Sequence, residues 1–157
     1  MKLLTTAAIA ALMLAQANAA FAARAYIGTY TKDPAAARGL GNGEGIYMVD
    51  VDPATGAPSH LRLMAKDLSP SWITLSADHK FLYAVNEIAT YGPNKSGSVT
   101  AYAVDTASGA LKKLNVVDSG GSIPCFVSVH PSGKFLLVAD YTGGAYEVIR
   151  LKPDGSL

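Results

Sequence analysis

The chain has 157 residues, of which 50% are hydrophobic and only 16% are charged. This balance is typical of a packed globular protein and excludes a chain that is disordered throughout. Thirteen basic residues nearly cancel twelve acidic residues, so the composition gives no electrostatic reason to expect binding to nucleic acid or to an anionic membrane surface.

Residues 1–22 have the pattern of a secretory signal peptide. Lys2 supplies a positive start, residues 3–14 form an apolar run, and residues 17–22 fit an A-x-A cleavage site. A membrane anchor is the alternative, but roughly 20 apolar residues are needed to span a bilayer and this run is shorter. We therefore expect cleavage after export and a mature protein that is periplasmic or secreted.

A repeat runs through the rest of the chain. The segment 70–86 matches the segment 124–140, 54 residues further on, and the segment 46–57 matches 99–110 at a spacing of 53. Within each copy, short runs of β-branched and aromatic residues are bounded by Gly, Pro, Asp and Ser. In the complete copy these runs predict four strands, at residues 72–76, 81–86, 98–105 and 111–118.

Four antiparallel strands in a period of about 50 residues are typical of a β-propeller blade. A β-sandwich is the alternative, but it does not require internal copying. No segment after residue 22 has the 3.6-residue apolar period of a helix. We therefore predict an all-β protein in which residues 23–157 form part of a β-propeller of four-stranded antiparallel blades.

The copies amount to fewer than three blades. Residues 26–30 align with the second strand of the later copies, so the first blade lacks its innermost strand, and the third blade stops after its third strand. Because a propeller needs about four blades to close, we interpret the chain as the N-terminal part of a longer protein in which further blades complete the ring. An incomplete ring leaves sheet faces and edges exposed, and we therefore expect the chain by itself to associate with other copies.

Several motifs resemble the seven-bladed β-propeller lactonases, the family typified by 6-phosphogluconolactonase. They are YIGTYT at 26–31, GIY at 45–47, DPATG at 52–56, PS at 70–71, FLYAVNE at 81–87, GAL at 109–111, PC at 124–125 and PSGKFLLVA at 131–139. The resemblance implies a hydrolase that opens a small-molecule sugar lactone. Relatives on the same fold form lactones by cyclising carboxymuconate, so a cycloisomerase stays open, as does a non-catalytic binding propeller.

One position departs from the family pattern. Many members have a histidine directly after Pro-Cys or Pro-Thr, whereas this chain has Phe126 after Pro124 and Cys125. A phenylalanine side chain transfers no proton and donates no polar hydrogen bond. Any step that depends on this histidine is therefore not expected here.

The rim is the end of the propeller where the first strand of each blade begins and the second strand ends. This geometry places two carboxylates there, Glu87 and Asp140, and both are candidates for the catalytic base that activates water. The alternative is that each carboxylate accepts backbone hydrogen bonds and orders its own loop.

Six further residues near the rim are candidates for substrate binding: Tyr30, Lys32, Arg38, Trp72, Asn86 and Tyr141. The alternatives are simple packing for the aromatic residues, a cap of the strand end for Asn86, and a mobile connector for the glycine-rich loop 39–45 beside the two cations. The three histidines lack the spacing of metal ligands, so we expect no metal and no cofactor. Cys125, the only cysteine, has no evident base partner and is not expected to be a nucleophile.

Overall fold

The computed structural model of the protein describes residues 23–32 and 41–157. The predicted signal peptide and one predicted site residue, Arg38, lie outside this part of the chain. In the described part the regular elements are ten β-strands, and no helix there is long and apolar enough to cross a membrane. The predicted all-β class is therefore confirmed.

The strands form three antiparallel sheets, and within each sheet they are ordered as they follow in the chain. The first sheet contains β1 (Ala23–Ile27), β2 (Gly45–Val51) and β3 (Pro58–Lys66). The second contains β4 (Trp72–Leu75), β5 (Phe81–Tyr91), β6 (Ser96–Val104) and β7 (Leu111–Asp118). The third contains β8 (Ser122–Val129), β9 (Phe135–Thr142) and β10 (Tyr146–Arg150). Three, four and three strands are the numbers that the repeat predicts for these copies.

The turns that follow β2 and β6 repeat in atomic detail. Oδ1 of Asp52 accepts hydrogen bonds from two backbone N–H groups of its own turn, and Oδ1 of Asp105 does the same. These donors lower the pKa of both carboxyls because they stabilise the charged form. Gly56 and Gly109 complete the two turns at positive φ values of 73° and 79°, which residues with a Cβ atom seldom adopt.

The sequence-based boundary of one hairpin is wrong. The predicted strands stop at residue 86 and resume at residue 98, whereas β5 continues to Tyr91 and β6 begins at Ser96. The ladder resumes after a register shift beyond Asn86, where Tyr91 pairs with Ser96. Gly92 and Lys95, both at positive φ, make the connecting turn tight enough for this pairing.

The second sheet packs against a neighbour on each of its faces. Successive side chains of a strand point to opposite faces, and so Tyr83 and Val85 contact the third sheet, in a core cluster with Leu136. Leu82 belongs to the other cluster, with Ile46 of the first sheet. Two apolar interfaces between successive sheets, rather than one core shared by two sheets, are the arrangement expected of neighbouring blades.

An apolar strip lies on the face of the third sheet that points away from the second. Leu137, Val148 and Tyr146 are exposed there. The pairing of the strands gives each of them a counterpart in the second sheet. These counterparts, which include Tyr83 and Ala101, are fully buried because the third sheet covers them. Self-association of the chain stays a prediction, and this strip is the surface on which we expect it.

Candidate functional site

Two hydroxyl groups converge on the carboxylate of Glu87 at the rim. The phenol of Tyr30, just after β1, donates a hydrogen bond to Oε2 of Glu87 at 2.8 Å. The hydroxyl of Ser71, just before β4, donates to the same oxygen at 2.6 Å. Within residues 23–32 and 41–157 the second oxygen, Oε1, has no hydrogen-bond partner, so it can receive a proton from a water molecule or contact a ligand.

The backbone of Ser69 fixes the position of this carboxylate. Its carbonyl accepts hydrogen bonds from the N–H groups of Glu87 at 2.9 Å and Ser71 at 2.7 Å. Ser69 adopts a positive φ of 40°, which turns its carbonyl towards both partners before Pro70 leads into β4. Gly28 packs so closely against this turn that a Cβ atom there would lie 2.0 Å from the carbonyl oxygen of Pro70. The first sheet can therefore bring Tyr30 within reach of Glu87.

The electrostatic surroundings keep the Tyr30 phenol in its protonated form. Burial raises its pKa, and the hydrogen bond to the negative Glu87 raises it further, because both disfavour a phenolate. A weaker contribution in the same direction comes from Cys125 on β8. Tyr30 is therefore a hydrogen-bond donor to Glu87 at neutral pH.

Two aromatic side chains form a contact beside this carboxylate. The rings of Trp72 and Phe126 lie 5.3 Å apart between centroids and are tilted by 51°. Each belongs to the first strand of its sheet, at corresponding positions of the repeat, and the side chains are 47% and 41% exposed. Trp72 directly follows Ser71, whose hydroxyl donates to Glu87, so the aromatic pair adds an exposed apolar surface at this end of the blades. Such a combination can stack on the C–H face of a sugar ring and bind its hydroxyls.

Asp140, the second predicted catalytic carboxylate, lies inside the protein. It is 5% exposed, its Oδ1 accepts a hydrogen bond from Ser119 at 2.8 Å, and its buried Oδ2 has no partner among the described residues. Burial raises the pKa of Asp140, and the negative charges of Asp118 and Glu147 add to the increase. No contact in the described part of the chain joins Asp140 to the hydroxyl groups around Glu87.

The amide of Asn86 is also buried, and its hydrogen bonds are made inside the blade. Its Nδ2 donates to the carbonyl of Leu68 at 2.8 Å, and its Oδ1 accepts from Ser98 at 3.1 Å and Thr100 at 2.7 Å. This arrangement differs from the predicted contact with substrate, because both ends of the amide already have partners. Asn86 is therefore left out of the proposed site.

The remaining predicted residues lie at different places. Lys32 is exposed and lines a separate cleft of about 520 Å³ at the first sheet, beside Glu44 and Lys66. Tyr141 is, with Tyr146, among the most exposed large hydrophobic residues of the described chain. No group of three or more histidine, cysteine, aspartate or glutamate residues in the described part is arranged to hold a metal ion.

Sequence reasoning did not include Ser71 and Phe126 among the site residues. The available signal was their position in the repeat: Ser71 directly precedes the innermost strand, and Phe126 corresponds to Trp72, 54 residues earlier. Their contacts with Glu87 and Trp72 depend on side-chain directions that a repeat does not specify.

Comparison with known proteins identifies the family. Residues 24–157 match the sequence model described as lactonase, 7-bladed beta-propeller. The chain belongs to this family. The predicted family and the propeller architecture are thereby confirmed, and the three sheets are read as successive blades of a lactonase propeller.

Individual lactonases show the same relationship. The chain is 35% identical over 132 residues to a 6-phosphogluconolactonase of Bacillus subtilis, a match that covers 84% of this chain and 34% of that protein. It is 29% identical over 117 residues to a 6-phosphogluconolactonase of Formosa agariphila, covering 73% and 32% of the two chains. The solved structure of a periplasmic gluconolactonase from Pseudomonas aeruginosa superposes with a TM-score of 0.72 and 31% identity, covering 84% and 35%. The chain thus spans about a third of the length of these relatives.

Proposed function

We propose that this lactonase-family chain takes part in the hydrolysis of a sugar lactone, with Glu87 as the base that activates water. The observation that carries the proposal is the Glu87 carboxylate, held through one oxygen by Tyr30 and Ser71 beside an exposed aromatic pair. A base with one oxygen anchored and the other without a hydrogen-bond partner among the described residues suits the removal of a proton from water.

In the proposed reaction Glu87 takes a proton from water and later gives it to the ring oxygen of the lactone. Oε1 of Glu87 takes a proton from water while the water oxygen bonds to the lactone carbonyl carbon, which becomes a tetrahedral oxyanion. Collapse of the oxyanion restores the carbonyl and breaks the bond to the ring oxygen, which takes the proton back from Glu87. The product is the open-chain hydroxy acid, and Trp72 with Phe126 supports the ring through its apolar face.

The substrate class follows from the relatives and from the predicted export. Two relatives carry the name 6-phosphogluconolactonase, and a third is a periplasmic gluconolactonase. We propose a lactone of the gluconolactone type, with or without a 6-phosphate, and a periplasmic or secreted location. The A-x-A pattern after the apolar run at residues 3–14 supports this location.

The test measures hydrolysis of glucono-δ-lactone and of 6-phosphogluconolactone, each corrected for spontaneous opening. We expect Glu87→Gln to lower kcat by at least about 100-fold, the usual contribution of a general base. Glu44→Gln is the matched control. Glu44 is an exposed carboxylate that forms an ion pair with Lys66 at a distance of 3.0 Å, and its side chain is not hydrogen-bonded to Tyr30 or Ser71. If Asp140→Asn also lowers kcat, Asp140 stays a candidate for the second catalytic residue.

Other results would contradict the proposal in distinguishable ways. Turnover of carboxymuconate without hydrolysis of either lactone would assign the chain to the cycloisomerases. Binding of gluconolactone without any turnover would indicate a binding propeller. Trp72, the only tryptophan of the chain, lies at the candidate site, so its fluorescence reports binding directly.

A further inference from the structure

A reciprocal pair of hydrogen bonds joins the first two blades beneath the candidate site. The N–H of Ser69 donates to Oγ1 of Thr31 at 2.9 Å, and the N–H of Thr31 donates to Oγ of Ser69 at 3.3 Å. Thr31 is 4% exposed and Ser69 is completely buried. Each hydroxyl thereby satisfies a buried N–H group on the other blade.

The hydroxyl of Ser69 is not needed to form its turn. At the corresponding position of the next blade, 54 residues on, Ile123 adopts the same left-handed conformation with a φ of 59°. Isoleucine has no hydroxyl, and a β-branched residue is an unfavourable choice for positive φ. The turn therefore forms without this group, and the hydroxyl in the earlier blade serves the contact with Thr31.

This contact is connected to the candidate base from both sides. Thr31 directly follows Tyr30, whose phenol donates to Glu87, and the carbonyl of Ser69 accepts the N–H of Glu87. The corresponding joint between the second and third blades has Tyr141, an exposed side chain, at the position of Glu87. The hydroxyl pair thus occurs at the joint that carries the hydrogen-bonded carboxylate.

We propose that Thr31 and Ser69 are positioning residues, which hold the phenol of Tyr30 at hydrogen-bonding distance from Glu87. The proposal rests on the proposed function, in which Glu87 is the base. Loss of the pair lets the end of β1 shift relative to β5, so that Oε2 loses the Tyr30 donor and Oε1 is no longer fixed for the attack of water. Thr31 and Ser69 themselves contact no substrate.

The test compares Thr31→Val with Thr31→Ser in the full chain, using glucono-δ-lactone and 6-phosphogluconolactone as substrates. Valine keeps the shape of threonine but removes the acceptor of the Ser69 N–H, whereas serine keeps it. We expect Thr31→Val to lower kcat about tenfold with KM nearly unchanged, the effect of losing one hydrogen bond to a charged group. Thr31→Ser should restore kcat.

Thr100→Val is the matched structural control. Thr100 is buried and donates a hydrogen bond to Asn86 at 2.7 Å, but it does not contact Tyr30. We expect this variant to lower Tm while kcat stays at the wild-type value. Should Thr31→Val be insoluble, Ser69→Ala removes the other half of the pair and should lower kcat in the same direction.

A double-mutant cycle with Tyr30→Phe shows whether Thr31→Val lowers kcat through Tyr30. If the pair acts through Tyr30, adding Thr31→Val to Tyr30→Phe should lower kcat little further. Independent effects of the two substitutions, or a lower Tm with unchanged kcat in Thr31→Val, would overturn the positioning role while Glu87 keeps its own. Wild-type kcat in Glu87→Gln would instead overturn the proposed function, and the positioning role with it.

Discussion

We expect the buried carboxylate of Asp140 to destabilise the folded protein, so that its replacement by asparagine raises stability. The repeat supplies the comparison, since Asn86 occupies the corresponding position of the preceding blade. There the amide donates to the carbonyl of Leu68 at 2.8 Å, and the counterpart of that carbonyl belongs to Ser122. An amide in place of Asp140 keeps Oδ1 as the acceptor of Ser119 and converts the unpartnered Oδ2 into a donor.

The expected gain follows from the missing partner. A buried polar group without a hydrogen bond destabilises a protein by about 1–3 kcal/mol. For a chain of this size, such a difference raises Tm by roughly 3–9 °C. Asn86→Asp is the matched control, because it introduces a carboxylate into the blade that is built for an amide and should lower Tm.

The gain in stability from Asp140→Asn should be larger at neutral pH than at acidic pH. Burial raises the pKa of Asp140 in the folded state, so the folded protein binds this proton more tightly than the unfolded chain. The wild-type free energy of unfolding therefore falls as pH rises from the ordinary value of about 4 through the raised value. The advantage of Asp140→Asn should be small near pH 4 and largest at neutral pH.

The assay is urea unfolding of wild type and of the two variants at pH 4 and pH 7. A lower stability of Asp140→Asn at pH 7, or a gain that is equal at both pH values, would refute the reasoning. The first result would show that the carboxylate has a stabilising partner, and the second that its charge is not buried.

Two further predictions concern the core. Burial raises the pKa of Tyr83 to about 12, so the stability that its protonated form provides should be lost as pH rises from about 10 towards the raised value. Tyr83→Phe should flatten this loss in urea unfolding between pH 9 and 11, and an unchanged slope would contradict it. Leu136→Ala, at a fully buried position between the second and third blades, should lower the free energy of unfolding by about 2–5 kcal/mol. Leu61→Ala, at an exposed position, should change the free energy of unfolding by less than about 0.5 kcal/mol. Equal losses in the two variants would contradict the packing of Leu136 between the blades.

Much of the fold could be predicted because its determinants are local. The apolar run at residues 81–85 and the Asp-to-Gly turns at 52–56 and 105–109 depend on neighbouring residues, and each of them occurs in two copies of the repeat. The extension of β5 to Tyr91 was missed because strand pairing across a register shift depends on the partner strand. Among the candidate site residues, Tyr30 donates a hydrogen bond to Glu87 and Trp72 is exposed, whereas Asn86 and Asp140 are buried, and the roles of all of them stay predictions.

The sequence by itself determined that a four-stranded unit is repeated, which residues begin and end its strands, and that the copies are those of a lactonase propeller. Only the tertiary structure decided that Tyr30 donates to Glu87 across 57 residues of chain, and that Thr31 and Ser69 join the blades beneath them. The physical reason is that strands and turns follow from nearby residues, whereas a hydrogen bond between blades depends on how closely two sheets pack.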